Sequence, residues 1–202
     1  TLRGGHLTVP TPESSMLVIP PLLEARTSYM LSKIYGEAVC LQSGLDVTIV
    51  RPHNFYGPRM GMSHVIPELL HKAYTYSEEK PISVFSPNHT RTFCYITDAV
   101  QVIYNLSVAE CSKNKVYNVG SANPEIRILE LAQEVVGIVG RPVKVLLGED
   151  FPGSQSRRCP DISRSIEASG HTPSVSLEDG IQNTFAWYKR NVFDVSEGIY
   201  AV

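Results

Sequence analysis

Thr27-Ser28-Tyr29-Met30-Leu31-Ser32-Lys33 leads through Asp46-Val47-Thr48-Ile49-Val50 into Arg51-Pro52-His53-Asn54-Phe55-Tyr56-Gly57-Pro58-Arg59: a helix, a short apolar strand and a polar loop in succession. The four-residue step from Tyr29 to Lys33 puts both side chains on one helix face, about a turn apart. Leu31, Ile34, Tyr35, Ala38 and Leu41 recur at helical spacing as a core-facing stripe, while Tyr29, Lys33 and Glu37 form a separate row. Gly44 closes the helix, and the run at 46–50 reads as a buried strand. A polar loop at the carboxyl end of such a strand is how α/β sheets build ligand sites. By itself the Tyr-x-x-x-Lys spacing is common in helices. Its chemical interest is that a Lys ammonium beside a Tyr hydroxyl favours the phenolate and lowers a pKa that starts near ~10, which suits the Tyr to proton transfer.

The rest of the chain alternates helices and strands. A helix is expected over His64 to Tyr74, with Val65, Leu69 and Leu70 inward and Pro67 in its first turn. Ile82 to Phe85 and Arg91 to Tyr95 read as strands joined by a turn at Ser86-Pro87-Asn88-His89. Thr97 is expected to cap a helix with Ala99, Val102, Ile103 and Leu106 on one face. Val116 to Val119 reads as a second buried strand. Leu129, Ala132, Val136 and Val139 mark a helix stopped by Gly140 and Pro142. A strand at Val143 to Leu147, a loop from Gly148 to Arg158, and a helix opened by Ser176-Leu177-Glu178-Asp179 complete the pattern. Thr1 to Pro20, broken by Pro10 and Pro12, reads as an extended surface segment.

Four separated pieces resemble the extended short-chain dehydrogenase/reductase superfamily, and within it the nucleotide-sugar epimerases, dehydratases and decarboxylases. They are the Tyr29/Lys33 helix, Val50 to Pro58, Thr90-Arg91-Thr92-Phe93-Cys94-Tyr95-Ile96-Thr97-Asp98-Ala99, and Val116-Tyr117-Asn118-Val119-Gly120. Arg158-Cys159-Pro160-Asp161 is similar to the family's late Arg-x-Pro-Asp segment. The resemblance runs from about residue 25 to 190. It implies an α/β fold: part of a doubly wound parallel, Rossmann-like sheet (residues 1–60 and 96–120) plus a smaller α/β nucleotide-sugar-binding domain (61–95 and 121–202).

The family's opening strand, Gly-x-x-Gly-x-x-Gly turn and helix, which hold the dinucleotide pyrophosphate, have no counterpart among the 202 residues. Arg3-Gly4-Gly5-His6 has no strand before it and no helix after it. The Ser/Thr that works with the family's Tyr belongs to a segment that would finish about where Thr1 begins. The chain is therefore expected to be the carboxyl-terminal part of a larger enzyme, inactive by itself, in which strands meant to be central acquire a bare edge.

Composition excludes several classes. A net charge of −2 gives no footprint for nucleic acid or an acidic membrane, and no apolar run approaches the ~20 residues of a membrane span. Cys40, Cys94, Cys111 and Cys159 are scattered, without a metal or redox pair, and are expected to be reduced thiols packed as small hydrophobes. With 43% hydrophobic residues and no basic, continuously apolar leader, the chain reads as a globular cytoplasmic protein.

The resemblance also implies roles. Tyr29 is the expected base at the sugar hydroxyl, and Lys33 the group on the nicotinamide ribose. Pro52 and His53 border the nicotinamide end, with a hydrogen-bonded loop residue as the alternative for His53. Asn54 matches an asparagine on the substrate diphosphate; otherwise it satisfies its own turn. Arg91 and Arg158 match arginines on substrate phosphates, where a planar, permanently charged fork is suited. Asp98 is expected to be a helix N-terminal acid stabilised by the macrodipole. His64, His71 and His89 lack metal-site spacing. The expected cofactor is NAD and the partner a nucleotide-diphosphate sugar, with the intact protein a homodimer. The activities implied are a 4-epimerase, then a 4,6-dehydratase or UDP-glucuronate-type decarboxylase. A non-catalytic sugar-nucleotide-binding or assembly module is the alternative from another class.

Overall fold

The computed structural model describes residues 8–24, 27–151 and 154–195. The glycine-containing stretch at 3–6 lies outside them. Helix α1 (Thr27–Leu41) leads to β1 (Thr48–Pro52) and β2 (Phe55–Tyr56), then α2 (Val65–Thr75), β3 (Ile82–Val84), β4 (Thr90–Arg91), β5 (Cys94–Tyr95) and α3 (Ile96–Val108). After β6 (Lys115–Val119) come β7 (Ile126–Arg127), α4 (Ile128–Val139), β8 (Val145–Leu147), β9 (Arg157–Arg158), α5 (Ser163–Ser169) and α6 (Leu177–Tyr188).

Parallel pairing dominates. β1 lies parallel to β6, with Val50 opposite Tyr117 and Pro52 opposite Val119. β2 pairs with β5 and β3 with β8, both parallel. β4 is central to a three-stranded sheet, antiparallel to β7 and parallel to β9. Parallel neighbours need crossover connections, and α2, α3 and α4 supply them.

Two cores result. The larger joins α2, α4 and α6 to β2, β3 and β5 through Tyr56, Leu70, Ile82, Leu131, Val135 and Ile181. The smaller packs Val102 and Leu106 of α3 on Tyr117 and Val119 of β6, with Val50 and Phe55 alongside. Ala168 of α5 packs on this smaller core, while Tyr56 belongs to the larger, with Met60 and Ile96 packed against it, so both cores draw side chains from across the expected division of the chain.

Several expectations are corrected. Helix α1 forms, but its stripe is not a core face. Tyr35 is 73% exposed and Leu41 40%, Ala38 is exposed, Leu31 and Ile34 are half-buried, and the buried residues are Thr27 and Met30. Among the described residues β1 pairs with β6 alone, so no sheet surface spans the width needed to cover that helix face. Thr97 lies inside α3, whose N-cap is Tyr95. Helix α4 forms where Leu129, Ala132, Val136 and Val139 mark it: Leu131, Ala132 and Val135 are buried toward α2 and α6, and Val136 and Val139 pack against the same core. β3 and β4 do not pair with each other, since β8 and β9 are parallel partners available to them. The expected loop before Arg158 ends in β9, and β7 and α5 went unpredicted; two-residue strands carry no periodic signal. The amino-terminal segment is not simply a surface one: Glu13 and Pro20 are buried, and Thr11 bridges to Pro160 beside β9.

Candidate functional site

The loop after β1 owes its shape to close backbone approaches. Asn54 takes a positive φ of 45°, which its short polar side chain tolerates. Its Nδ2 donates to the Thr92 carbonyl at 2.8 Å, and its own carbonyl accepts from the Cys94 amide at 3.1 Å. A Cβ on Gly120, at the end of β6, would come 2.9 Å from His53 Cβ and 3.3 Å from Pro160 Cγ. Glycine there lets the carboxyl ends of β1 and β6 close on each other. The His53 amide donates to the Val119 carbonyl at 2.8 Å, continuing the ladder into the loop.

A cavity of about 1050 Å3 opens between α1, the ends of β1 and β6, residues 9–18 and β9. Tyr29, Lys33, Pro52, His53, Asn54 and Arg158 all line it. Tyr29 is half exposed, and the Lys33 ammonium lies 5.4 Å from the centre of its ring. The His53 ring is within 3.2 Å of Asn118 Oδ1. Burial pushes its pKa below the ordinary imidazole value, against the opposing pull of the Asn118 bond, and so favours the uncharged ring. Cys40 and Cys159 also face the cavity. Cys94 and Cys159 are buried, and burial raises both thiols, Cys94 to about 12; Cys40 and Cys111 are exposed rather than packed.

Arg91 does not line the cavity. It stands beside Arg158 in register on the adjacent strand, behind it. Its guanidinium donates to the carbonyls of Thr90 (2.7 Å), Gln155 (2.8 Å) and Ser156 (3.4 Å) and to the Ser154 hydroxyl (3.3 Å), all neutral oxygens. Burial, and secondarily the neighbouring Arg158, pull its pKa down to about 10. Two adjacent guanidinium groups of this kind are stabilised by a dianion. Arg158 Nε donates to Gln155 Oε1 at 3.1 Å. The preceding residue, Arg157, turns the other way and grips Glu125 through Nε and Nη2 at 2.7 and 2.8 Å, fixing β9 against β7 and β4.

Asp98 sits in the first turn of α3, but its carboxylate is spent on a fold contact. It accepts from the Ser174 and Val175 amides, both at 2.9 Å, and from His171 Nε2 at 3.0 Å. No group of three metal-ligating side chains occurs among the described residues, and no helix there is long and apolar enough to cross a membrane.

Sequence reasoning missed three residues. Asn118 is a buried hub: besides His53, its Nδ2 donates to the Thr11 and Asp161 carbonyls at 3.0 and 3.1 Å. Glu13 is buried and accepts from the Asn118 amide at 2.8 Å. Arg51 clasps Glu37 on α1. Asn118 and Arg51 lie inside recognised motifs and were available; nothing marked a lone Glu13 in a proline-rich stretch.

Known proteins agree with this architecture. A dTDP-4-dehydro-6-deoxy-D-allose reductase of Streptomyces bikiniensis is 34% identical over 172 residues, covering 81% of this chain and 51% of that protein. GDP-L-fucose synthase 1 of Arabidopsis thaliana is 31% identical over 194 residues, 91% of this chain and 59% of that protein. The chain thus spans a little over half the length of these relatives. WbmG of Bordetella bronchiseptica, solved with NAD and UDP, superimposes with a TM-score of 0.75 at 26% identity, over 91% of this chain and 55% of that one. The NAD dependent epimerase/dehydratase family itself matches residues 5–120. With its Rossmann-like parallel strands and its Tyr-x-x-x-Lys helix, the chain belongs to the NAD dependent epimerase/dehydratase family.

Proposed function

We propose that the whole protein of which this chain forms part remodels a nucleotide-diphosphate sugar by hydride transfer at the sugar's C4, and that it does so as a 4-epimerase. One observation carries the reading. Tyr29 and Lys33, the strand-end triplet Pro52-His53-Asn54, and Arg158 line a single cavity, so a proton-transfer group and a phosphate-binding group face one ligand-sized space.

Tyr29 takes the C4 hydroxyl proton as the carbon is oxidised and returns it after the ketone is reduced from the other face. The Lys33 ammonium holds the phenol oriented and offers donors to a ribose. Arg158, backed by Arg91, and Asn54 take the diphosphate. This donor set fits the nicotinamide-ribose end of NAD, with Pro52 and His53 as its wall; the pyrophosphate-cradling glycine turn is not among the 202 residues. When bound, NAD supplies the hydride acceptor and donor. The intact enzyme is read as a homodimer, for which the exposed apolar residues of α1 offer a surface.

In the full-length protein Tyr29→Phe is expected to cut turnover by ~10²–10⁴-fold with little change in nucleotide-sugar affinity. Arg158→Ala should weaken binding of both nucleotide sugar and bare nucleotide diphosphate by about 1.5–3 kcal/mol. Near-normal turnover in Tyr29→Phe overturns the reading. A second reading, net reduction of a 4-keto sugar, draws support from the reductase among the relatives. The two separate cleanly: an epimerase leaves the nicotinamide pool unchanged over many turnovers, whereas a reductase consumes one reduced nicotinamide per turnover.

A further inference from the structure

Arg51 immediately precedes Pro52 and His53, and none of the roles above uses it. Its Nε donates to Glu37 Oε2 at 3.0 Å and its Nη2 to Glu37 Oε1 at 2.5 Å, while Nη1 donates to the Glu13 carbonyl at 3.0 Å. The two side chains are mostly covered, at 24% and 17% exposure. Glu37 continues the Tyr29–Lys33 row by one more four-residue step. One guanidinium therefore joins three bodies: the helix that carries the Tyr-Lys pair, the strand that ends in the site loop, and the segment at 9–18 that walls the cavity. Glu13 passes the connection on through the Asn118 amide, and Asn118 reaches His53.

Apolar packing leaves this helix underdetermined. Thr27 and Met30 are its buried residues, both in the first turn, while Val39 and Leu41 near its other end are 49% and 40% exposed. Packing at one end fixes a pivot but neither roll nor depth. A two-point fork fixes angle as well as distance.

We propose that Arg51 and Glu37 are positioning residues: their clasp sets the roll and depth of α1 so that Tyr29 and Lys33 face Pro52, His53 and Asn54 across the cavity. The catalytic half of this inference rests on the reading of Tyr29 as the proton-transfer group. A misplacement of about 1 Å at a reacting group costs ~10²-fold in rate, so the clasp is expected to act on turnover and not on phosphate binding.

The test uses the full-length protein with spin labels on ketone-bearing unnatural residues at the exposed positions Val39 and Lys115. Arg51→Ala, Glu37→Ala and Arg51→Lys, which keeps the charge but loses the fork, should each broaden the α1-to-β6 distance distribution. They should also lower kcat for the nucleotide sugar by ~10–100-fold while UDP affinity by calorimetry stays within about twofold. The reversed pair, Glu37→Arg with Arg51→Glu, should narrow the distribution again and recover turnover. Unchanged widths in the single variants, or a reversed pair as broad as they are, overturns the clasp. Should the alanine variants not fold, Arg51→Lys alone decides. If the wild-type protein turns over no nucleotide sugar, the functional reading fails while the distance widths still judge the clasp.

Discussion

Thr92 and Asp98, six positions apart, show how differently a buried polar group can be treated. The Thr92 hydroxyl is buried without a hydrogen-bond partner, although its own carbonyl serves Asn54. An unpaired buried hydroxyl costs free energy that an isosteric methyl does not. Thr92→Val is expected to be neutral or to raise unfolding free energy by up to about 1 kcal/mol in urea denaturation; a loss above that size would mean the hydroxyl is satisfied in solution. Asp98 is the opposite case. Burial by itself would raise its pKa, but the bonds from Val175, His171 and Ser174 outweigh that and hold it below the usual carboxylate range. A depressed folded-state value means the carboxylate stabilises the fold above its unfolded pKa, and that this contribution is lost as pH falls through the folded value. Asp98→Asn should cost about 1.5–3 kcal/mol at neutral pH, and the gap from wild type should close in acid. Denaturation curves across pH 2–7 (a range of about five units) decide it, and a gap independent of pH would sink the account. The sequence placed Asp98 in a first helical turn, but its partners lie over seventy residues away, beyond any local pattern.

At the scale of elements, existence was legible for most of them and orientation for some: α2 buries Leu69 and Leu70, and α3 buries Ala99, Val102 and Leu106, as their spacing implies. The helices at α1, α2, α3, α4 and α6 follow from 3.6-residue spacing and from stops such as Gly140, whose φ is +72°. Which face each helix buries depends on neighbours, and there α1 departed from expectation. Two glycines test these faces. Gly180 of α6 lies against the Tyr56 ring, where a Cβ would overlap the phenol, and Gly36 of α1 has nothing within 4 Å of its Cβ position. Gly180→Ala is expected to cost about 1–3 kcal/mol through overpacking of a buried aromatic. Gly36→Ala should stabilise by roughly 0.5–1 kcal/mol, because helical glycine is entropically costly and space is open. Thermal melts of the two variants should therefore move in opposite directions; a stabilised Gly180→Ala would contradict the α6–β2 packing described above.

For the whole molecule, the decisive feature is the uncovered side of the smaller core. β1 pairs on one edge with β6, and among the described residues no strand takes the other. Tyr35, Val39 and Leu45 stand exposed nearby at 73%, 49% and 68%. Open edges and apolar patches recruit other chains, so the 202-residue chain by itself should self-associate, with sedimentation velocity showing mass rising with concentration. A monodisperse monomer at all concentrations would mean that the surface is protected. The sequence alone determined the family resemblance, the alternation of helix and strand, and the identities of Tyr29, Lys33, Asn54, Arg91 and Arg158 as site candidates, because each is written in contiguous motifs of fixed spacing. Only the tertiary structure decided that Arg158 faces the cavity while Arg91 stands behind it, that Glu13 and Asn118 tie an amino-terminal segment to His53, and that Arg51 fastens α1 through Glu37. Those outcomes turn on contacts between residues far apart in the chain, and on the competition of each side chain for one covered place, which local periodicity does not encode.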